Sequence, residues 1–161
     1  MKKLNSVLGA LLLTTAFGVS AHASNPDVYV VNFRNNTDTK SQQLDQALSS
    51  AVAMAGVNAE EVIIDTSDAA KWEKGAHEAF DRDIVPVFNQ WVGLPGFAAV
   101  VDAKSKRVIG CVNSTFRADE MAAELKKMAK KAQGRAYASN ASVSSKTTRC
   151  PAPHNVDPAG L

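Results

Sequence analysis

The segment Val28-Tyr29-Val30-Val31-Asn32-Phe33 constrains this chain more than any other. A strand with one wet face alternates apolar and polar residues; this one is apolar almost throughout, so it must be covered on both faces. A central strand of that kind needs helices packed above and below it. The chain supplies the first directly, because Leu44, Ala47, Leu48, Ala51 and Ala55 recur at helical spacing and stop at Gly56, a good C-terminal cap. Thr37 or Asp38 is placed to cap the start of that helix.

The remaining elements follow by the same logic. Glu61 to Asp65 reads as a second strand, and Thr66 and Ser67 offer caps for a second helix whose apolar face would carry Trp72, Ala76, Phe80 and Ile84. Pro86 should kink or split that helix, since it lacks an amide donor and its ring clashes with the preceding turn. The helical pattern resumes through Val87, Phe88 and Trp91 and ends abruptly at Gly93-Leu94-Pro95-Gly96. Phe97 to Val101 and Lys106 to Val112 read as strands joined by the polar turn 102–105, hence as an antiparallel hairpin. A last helix, capped by Ser114 or Thr115 and closed by Gly134, would turn Met121, Ala122, Leu125, Met128 and Ala129 inward. The order β-α-β-α-β-β-α specifies an α/β mixed sheet flanked by helices, and the helical crossovers suggest that the first three strands run parallel.

Both ends lie outside this core. Lys2 and Lys3, an uncharged and mostly apolar stretch from Val7 to Val19, and Ala21-His22-Ala23 together read as a secretory signal over residues 1–23. The apolar stretch is shorter than the roughly 20 residues needed to span a bilayer. We therefore expect no stable membrane span after cleavage and a periplasmic or secreted product. The whole chain has 18 Lys and Arg against 16 Asp and Glu, and its only excess, Lys2 and Lys3, belongs to the leader. A neutral mature protein, whose clustered Lys126, Lys127, Lys130 and Lys131 suit a helix C-terminus, excludes nucleic acid as the expected partner. Residues 135–161 contain few large apolar groups and read as a flexible tail.

The strand opened by Leu94-Pro95, with the order and spacing of the other elements, resembles the thioredoxin-like fold superfamily over about residues 27–132. The match rests on Gly93-Leu94-Pro95-Gly96-Phe97-Ala98-Ala99-Val100-Val101-Asp102 and on Val31-Asn32-Phe33 at the end of the first core strand. That resemblance implies a cis peptide at Leu94–Pro95, facing the N-terminus of the first helix across a groove. Where the family carries Cys-x-x-Cys, this chain has Asp38-Thr39-Lys40-Ser41, and the buried acid of the first strand is replaced by Asn32. Disulfide exchange requires an attacking thiolate. The chain is therefore expected to be a degenerate member without thiol-disulfide oxidoreductase activity, probing partners through Asp38, Thr39, Lys40, Ser41, Leu94, Pro95 and Gly96. The stretch Ile84 to Trp91 resembles small periplasmic proteins of conjugative transfer and pilus assembly, which implies binding to another envelope or secreted protein.

Other chemistry is sparse. Ser41 has no recognisable base at triad spacing, and His77 with Asp81 offers only two candidate ligands on one helix face, so neither a catalytic site, a metal nor a cofactor is expected. Cys111 and Cys150 remain. In an oxidising compartment their pairing would tether the tail to the sheet. The alternatives are a buried Cys111 with a reactive Cys150, an intermolecular bond through Cys150, and a redox protein or sensor that uses the two cysteines.

Overall fold

A computed structural model describes residues 25–134 and 149–154. The expected signal over residues 1–23 lies outside the described residues, as do 135–148 and 155–161 of the tail. The elements are β1 (Val28–Arg34), α1 (Thr39–Ala55), β2 (Ala59–Asp65), α2 (Ala69–Asp81), α3 (Val85–Trp91), β3 (Phe97–Asp102), β4 (Val108–Asn113) and α4 (Ala118–Ala132). They form one four-stranded mixed sheet, ordered β2-β1-β3-β4, with helices on both faces.

β1 pairs in parallel with β2, as a helical crossover requires, but it pairs antiparallel with β3. The expectation of three parallel strands is corrected here. Between β2 and β3 the chain does not return in one helix. It makes two short helices, split at Asp83 and Ile84, and then reverses through Gly93 and Gly96, so β3 enters from the opposite end. Pro86 sits in the first turn of α3, where a missing amide costs nothing. β3 and β4 form the expected antiparallel hairpin.

β1 is buried on both faces, as its composition demands. Val28 and Val30 point toward α1 and α4, where Leu44, Leu48, Met121, Leu125 and Met128 complete one apolar layer. Tyr29, Val31 and Phe33 point the other way, toward α2 and α3, and meet Ile84, Phe88, Trp91 and Phe97. Phe33 stacks on Phe97 at 5.0 Å between ring centres, and Trp91 meets both rings edge-on. Removing one of the fully buried aliphatics, such as Leu48, would cost roughly 2–5 kcal/mol.

The helix ends show which local signals were decisive. Asp38 caps α1, its Oδ2 accepting from the Ser41 amide at 2.7 Å, and Gly56 closes it with φ of 59°. For α2 the cap is Asp68, not Thr66 or Ser67, and its Oδ1 accepts from the Lys71 amide. α4 does not begin at Ser114 or Thr115. Asn113 Oδ1 takes up the Thr115 amide and hydroxyl in a side-chain turn, and the residue at the N-cap is Arg117, whose amide donates to Glu120.

The face of α2 also differs from expectation. Trp72 and Phe80 are 47% and 72% exposed, and the buried positions are Gly75 and Ala79. A Cβ on Gly75 would lie 3.4 Å from the Ile64 Cα, so these two small residues let the helix lie close on β2. That close approach turns Trp72 and Phe80 outward from the sheet, and the Trp72 ring meets Phe88 edge-on.

Candidate functional site

The N-terminus of α1 and the loop before β3 come together at one end of the sheet. Gly96 has φ of 90°, and its amide donates to the Phe33 carbonyl at 2.8 Å. A Cβ placed there would fall 2.8 Å from Lys40 Cβ and 3.1 Å from Asp38 Oδ2. The glycine is needed both for its conformation and for this approach. Gly93, with φ of 89°, takes the other half of the reversal. Between them the Leu94–Pro95 peptide is trans, since there is no cis peptide bond among the described residues. The cis linkage implied by the family resemblance is therefore corrected: two positive-φ glycines, and the Leu94 amide bonded to the Trp91 carbonyl, turn the chain instead.

The sequence-predicted residues divide by what they touch. Lys40, Pro95 and Gly96 line one groove of about 390 Å³. Its other walls are Phe97, Cys111 and Asn113 from the hairpin and Arg149, Cys150 and Pro151 from the tail. Asp38 lies beside Gly96 but is committed to Ser41, whose amide and hydroxyl both donate to it. Ser41 is fully buried, and its hydroxyl also accepts from the Asn35 amide at 3.1 Å, so it holds the loop before α1 in place. Thr39 is exposed at the first position of α1, and Leu94 packs into the α2–α3 layer. The amides of Leu94 and Gly96 are both taken internally, so this loop presents carbonyls and side chains, not strand-like donors, to a ligand.

Cys111 and Cys150 form a disulfide across a separation of 39 residues, with Cα atoms 4.9 Å apart. There is no free cysteine among the described residues. The bond carries residues 149–154 onto the α3 side of the sheet. There the Trp91 indole donates to the Pro151 carbonyl at 3.1 Å, and the His154 amide donates to the Gln90 carbonyl at 2.9 Å. The His154 ring, through Nε2, lies 3.1 Å from the Val92 carbonyl. Arg149, Pro151 and Asn113 were not foreseen as groove residues. The signal that could have found the first two was the cysteine pair itself, because joining Cys150 to β4 brings its neighbours along.

A polar cluster joins β1, β2 and α1. Asn32 is 1% exposed, and its Nδ2 donates to Asp45 Oδ1 at 2.9 Å and more weakly to Glu61 Oε1 at 3.5 Å, while its Oδ1 has no partner. Burial raises the Glu61 carboxyl above the usual glutamate range; the Asn32 hydrogen bond opposes this, Asp45 adds to it and Arg34 opposes it. Arg34 bridges to Asp45 at 3.2 Å. The cluster holds strand and helix together and does not open into the groove. His77 Nε2 lies 4.0 Å from Glu73 and makes no ion pair with Asp81, and no group of three or more potential ligands that could hold a metal occurs among the described residues.

No helix among the described residues is long and apolar enough to cross a membrane. The chain matches no family model, no curated protein and no solved structure.

Proposed function

We propose that this protein is a secreted or periplasmic thioredoxin-like domain that binds another envelope protein and does not catalyse thiol exchange at the head of α1. The observation that carries the reading is the groove itself: the first turn of α1 stands against Pro95 and Gly96, with Asp38 and Ser41 at the two positions where the family resemblance would put cysteines and Lys40 between them on the groove wall. The β2-β1-β3-β4 order, with β3 antiparallel to β1, also supports a thioredoxin-like ancestry. A disulfide-bonded pair and a short apolar leader support an extracytoplasmic location. An envelope assembly such as conjugative transfer or pilus biogenesis fits a small secreted binding domain of this kind.

Recognition would rest on side chains: an apolar base of Pro95, Phe97 and Pro151, with the Lys40 ammonium at the rim. Lys40 is exposed, and its ammonium makes no hydrogen bond or ion pair among the described residues. The test is affinity capture from periplasmic extract with the mature protein and with Lys40→Glu. A specific component retained by the first and reduced at least tenfold with the second is expected. Equal capture by both would remove the groove from the reading.

One observation favours a second function. The disulfide lines the same groove, so a thiol-based redox role through Cys111 and Cys150 would use the same entrance. Reversible two-electron titration of that pair, with insulin reduction above background, would establish it in place of binding.

A further inference from the structure

Six residues of the tail, Arg149 to His154, lie against α3 and β4 as an extended strap with no helix or strand of their own. Polar contacts hold them, among them the Trp91 indole to Pro151, the His154 amide to Gln90 and the His154 ring to Val92, and Arg149 has a contact of its own. Cys150 adds apolar contact with the aromatic layer of Trp91 and Phe97. Pro151, Ala152, Pro153 and His154 are otherwise exposed. Hydrogen bonds formed in exchange for bonds to water return little net free energy, and ordering the backbone of six residues costs more than a handful of such contacts supplies. The strap is therefore held in place by its covalent bond to Cys111.

We propose that the Cys111–Cys150 disulfide is a redox latch: its reduction frees residues 149–154 from α3 and β4 while the α/β domain stays folded, uncovering Trp91 and widening the groove beside Lys40. The two sulfurs differ in access. Both line the groove, but Cys111 is buried in β4, whereas Cys150 is partly exposed. A dithiol reductant, supplied as a separate small molecule or protein, would attack through one thiolate at Cys150 Sγ. The old S–S bond breaks, Cys111 leaves as a thiolate and takes up a proton, and a mixed disulfide joins the reductant to Cys150. The second thiolate of the reductant then displaces Cys150, which is protonated in turn. Two electrons and two protons pass to the protein, and the reductant departs as its own disulfide. The Lys40 ammonium lines the approach and favours an anionic attacker.

The rest of the molecule does not depend on the strap. Its residues join neither the sheet nor the α1–α4 layer, and the aromatic cluster of Phe33, Trp91 and Phe97 is complete without them. The inference does not require that the groove binds a partner, so failure of the capture experiment would not bear on it.

The test uses the full mature chain with Trp72→Phe, which leaves Trp91 as the fluorescent reporter. The chain is equilibrated with dithiothreitol and, separately, examined as Cys150→Ser and as Cys111→Ala. Thiol counting by mass gives the redox state, tryptic cleavage after Arg149 and amide exchange at His154 report the strap, and exchange across β1 and β3 reports the domain. Reduction should speed cleavage after Arg149 by at least tenfold and red-shift Trp91, with β1 and β3 protection unchanged, and Cys150→Ser should show the same state without reductant. Three results would overturn the latch: a strap still protected when both thiols are free, loss of β1 and β3 protection together with the strap, or a disulfide that resists dithiol until the domain unfolds.

Discussion

At the scale of single residues, the groove depends on positions that have little freedom to change. Gly96 combines φ of 90° with an approach to Lys40 and Asp38 that a methyl group would violate. Gly96→Ala should lower the unfolding free energy by about 1–3 kcal/mol in urea titration, since it pays both for the backbone and for displacing the first turn of α1. A neutral effect would mean that the loop stands off from α1. Glu61 offers a test with a definite sign. Its pKa is raised in the folded protein, chiefly by burial, so the folded chain keeps a proton that the unfolded chain has already released. Stability must then fall as pH rises from the ordinary glutamate value through the raised one, and level off above it. Asp68, Asp102 and Asp119 act oppositely and lower down: their pKa values are depressed, so their contribution is lost as pH falls below the ordinary aspartate range. Denaturation of the parent and of Glu61→Gln at a series of pH values separates the two effects. The difference between them should change through the Glu61 window alone; a constant difference would show that Glu61 is not perturbed by folding.

At the scale of elements, α2 marks where periodicity was read correctly and its direction was not. Trp72 and Phe80 do share a stripe, while Ala76 between them packs against the core, and large apolar residues ordinarily decide which face is buried. Here close approach outweighed size, because Gly75 and Ala79 let the helix lie against Ile64 and put the stripe off to the side. Three substitutions check this. Phe80→Ser should change stability by less than about 0.5 kcal/mol, as exposed sites do, whereas Ile84→Ala should cost roughly 2–4 kcal/mol. Gly75→Ala has room for its methyl group and should gain up to about 1 kcal/mol from helix propensity. Thermal unfolding of the three would reverse our account of α2 if Phe80→Ser proved the most damaging. The cap of α4 was misplaced for a related reason: Asn113, Ser114, Thr115 and Arg117 all precede the helix, and the choice among them is made by Asn113 folding back on Thr115.

At the scale of the whole molecule, the layered α/β architecture was legible because it follows from burial alone: β1 must be covered twice, and the flanking periodic segments are there to cover it. Strand direction was less legible. Whether β3 runs with or against β1 is decided by the split at Asp83 and Ile84 and by Gly93 and Gly96, short features with no periodic signature. The groove was half legible, Lys40, Pro95 and Gly96 from pattern and the tail residues only through their cysteine. That bond also yields the last prediction. Closing a loop across a separation of 39 residues removes about 4 kcal/mol of entropy from the unfolded chain. If the folded state were unchanged by removing the bond, Cys111→Ala with Cys150→Ala would lose that whole amount. A strap that lets go regains part of the same entropy in the folded state, so the loss should shrink to on the order of 1–2 kcal/mol, the size of a loop-length correction. Equilibrium denaturation of the oxidised parent and the doubly substituted chain distinguishes the two, because the larger value belongs to a rigid staple and the smaller one to a segment whose order was imposed by a single covalent bond.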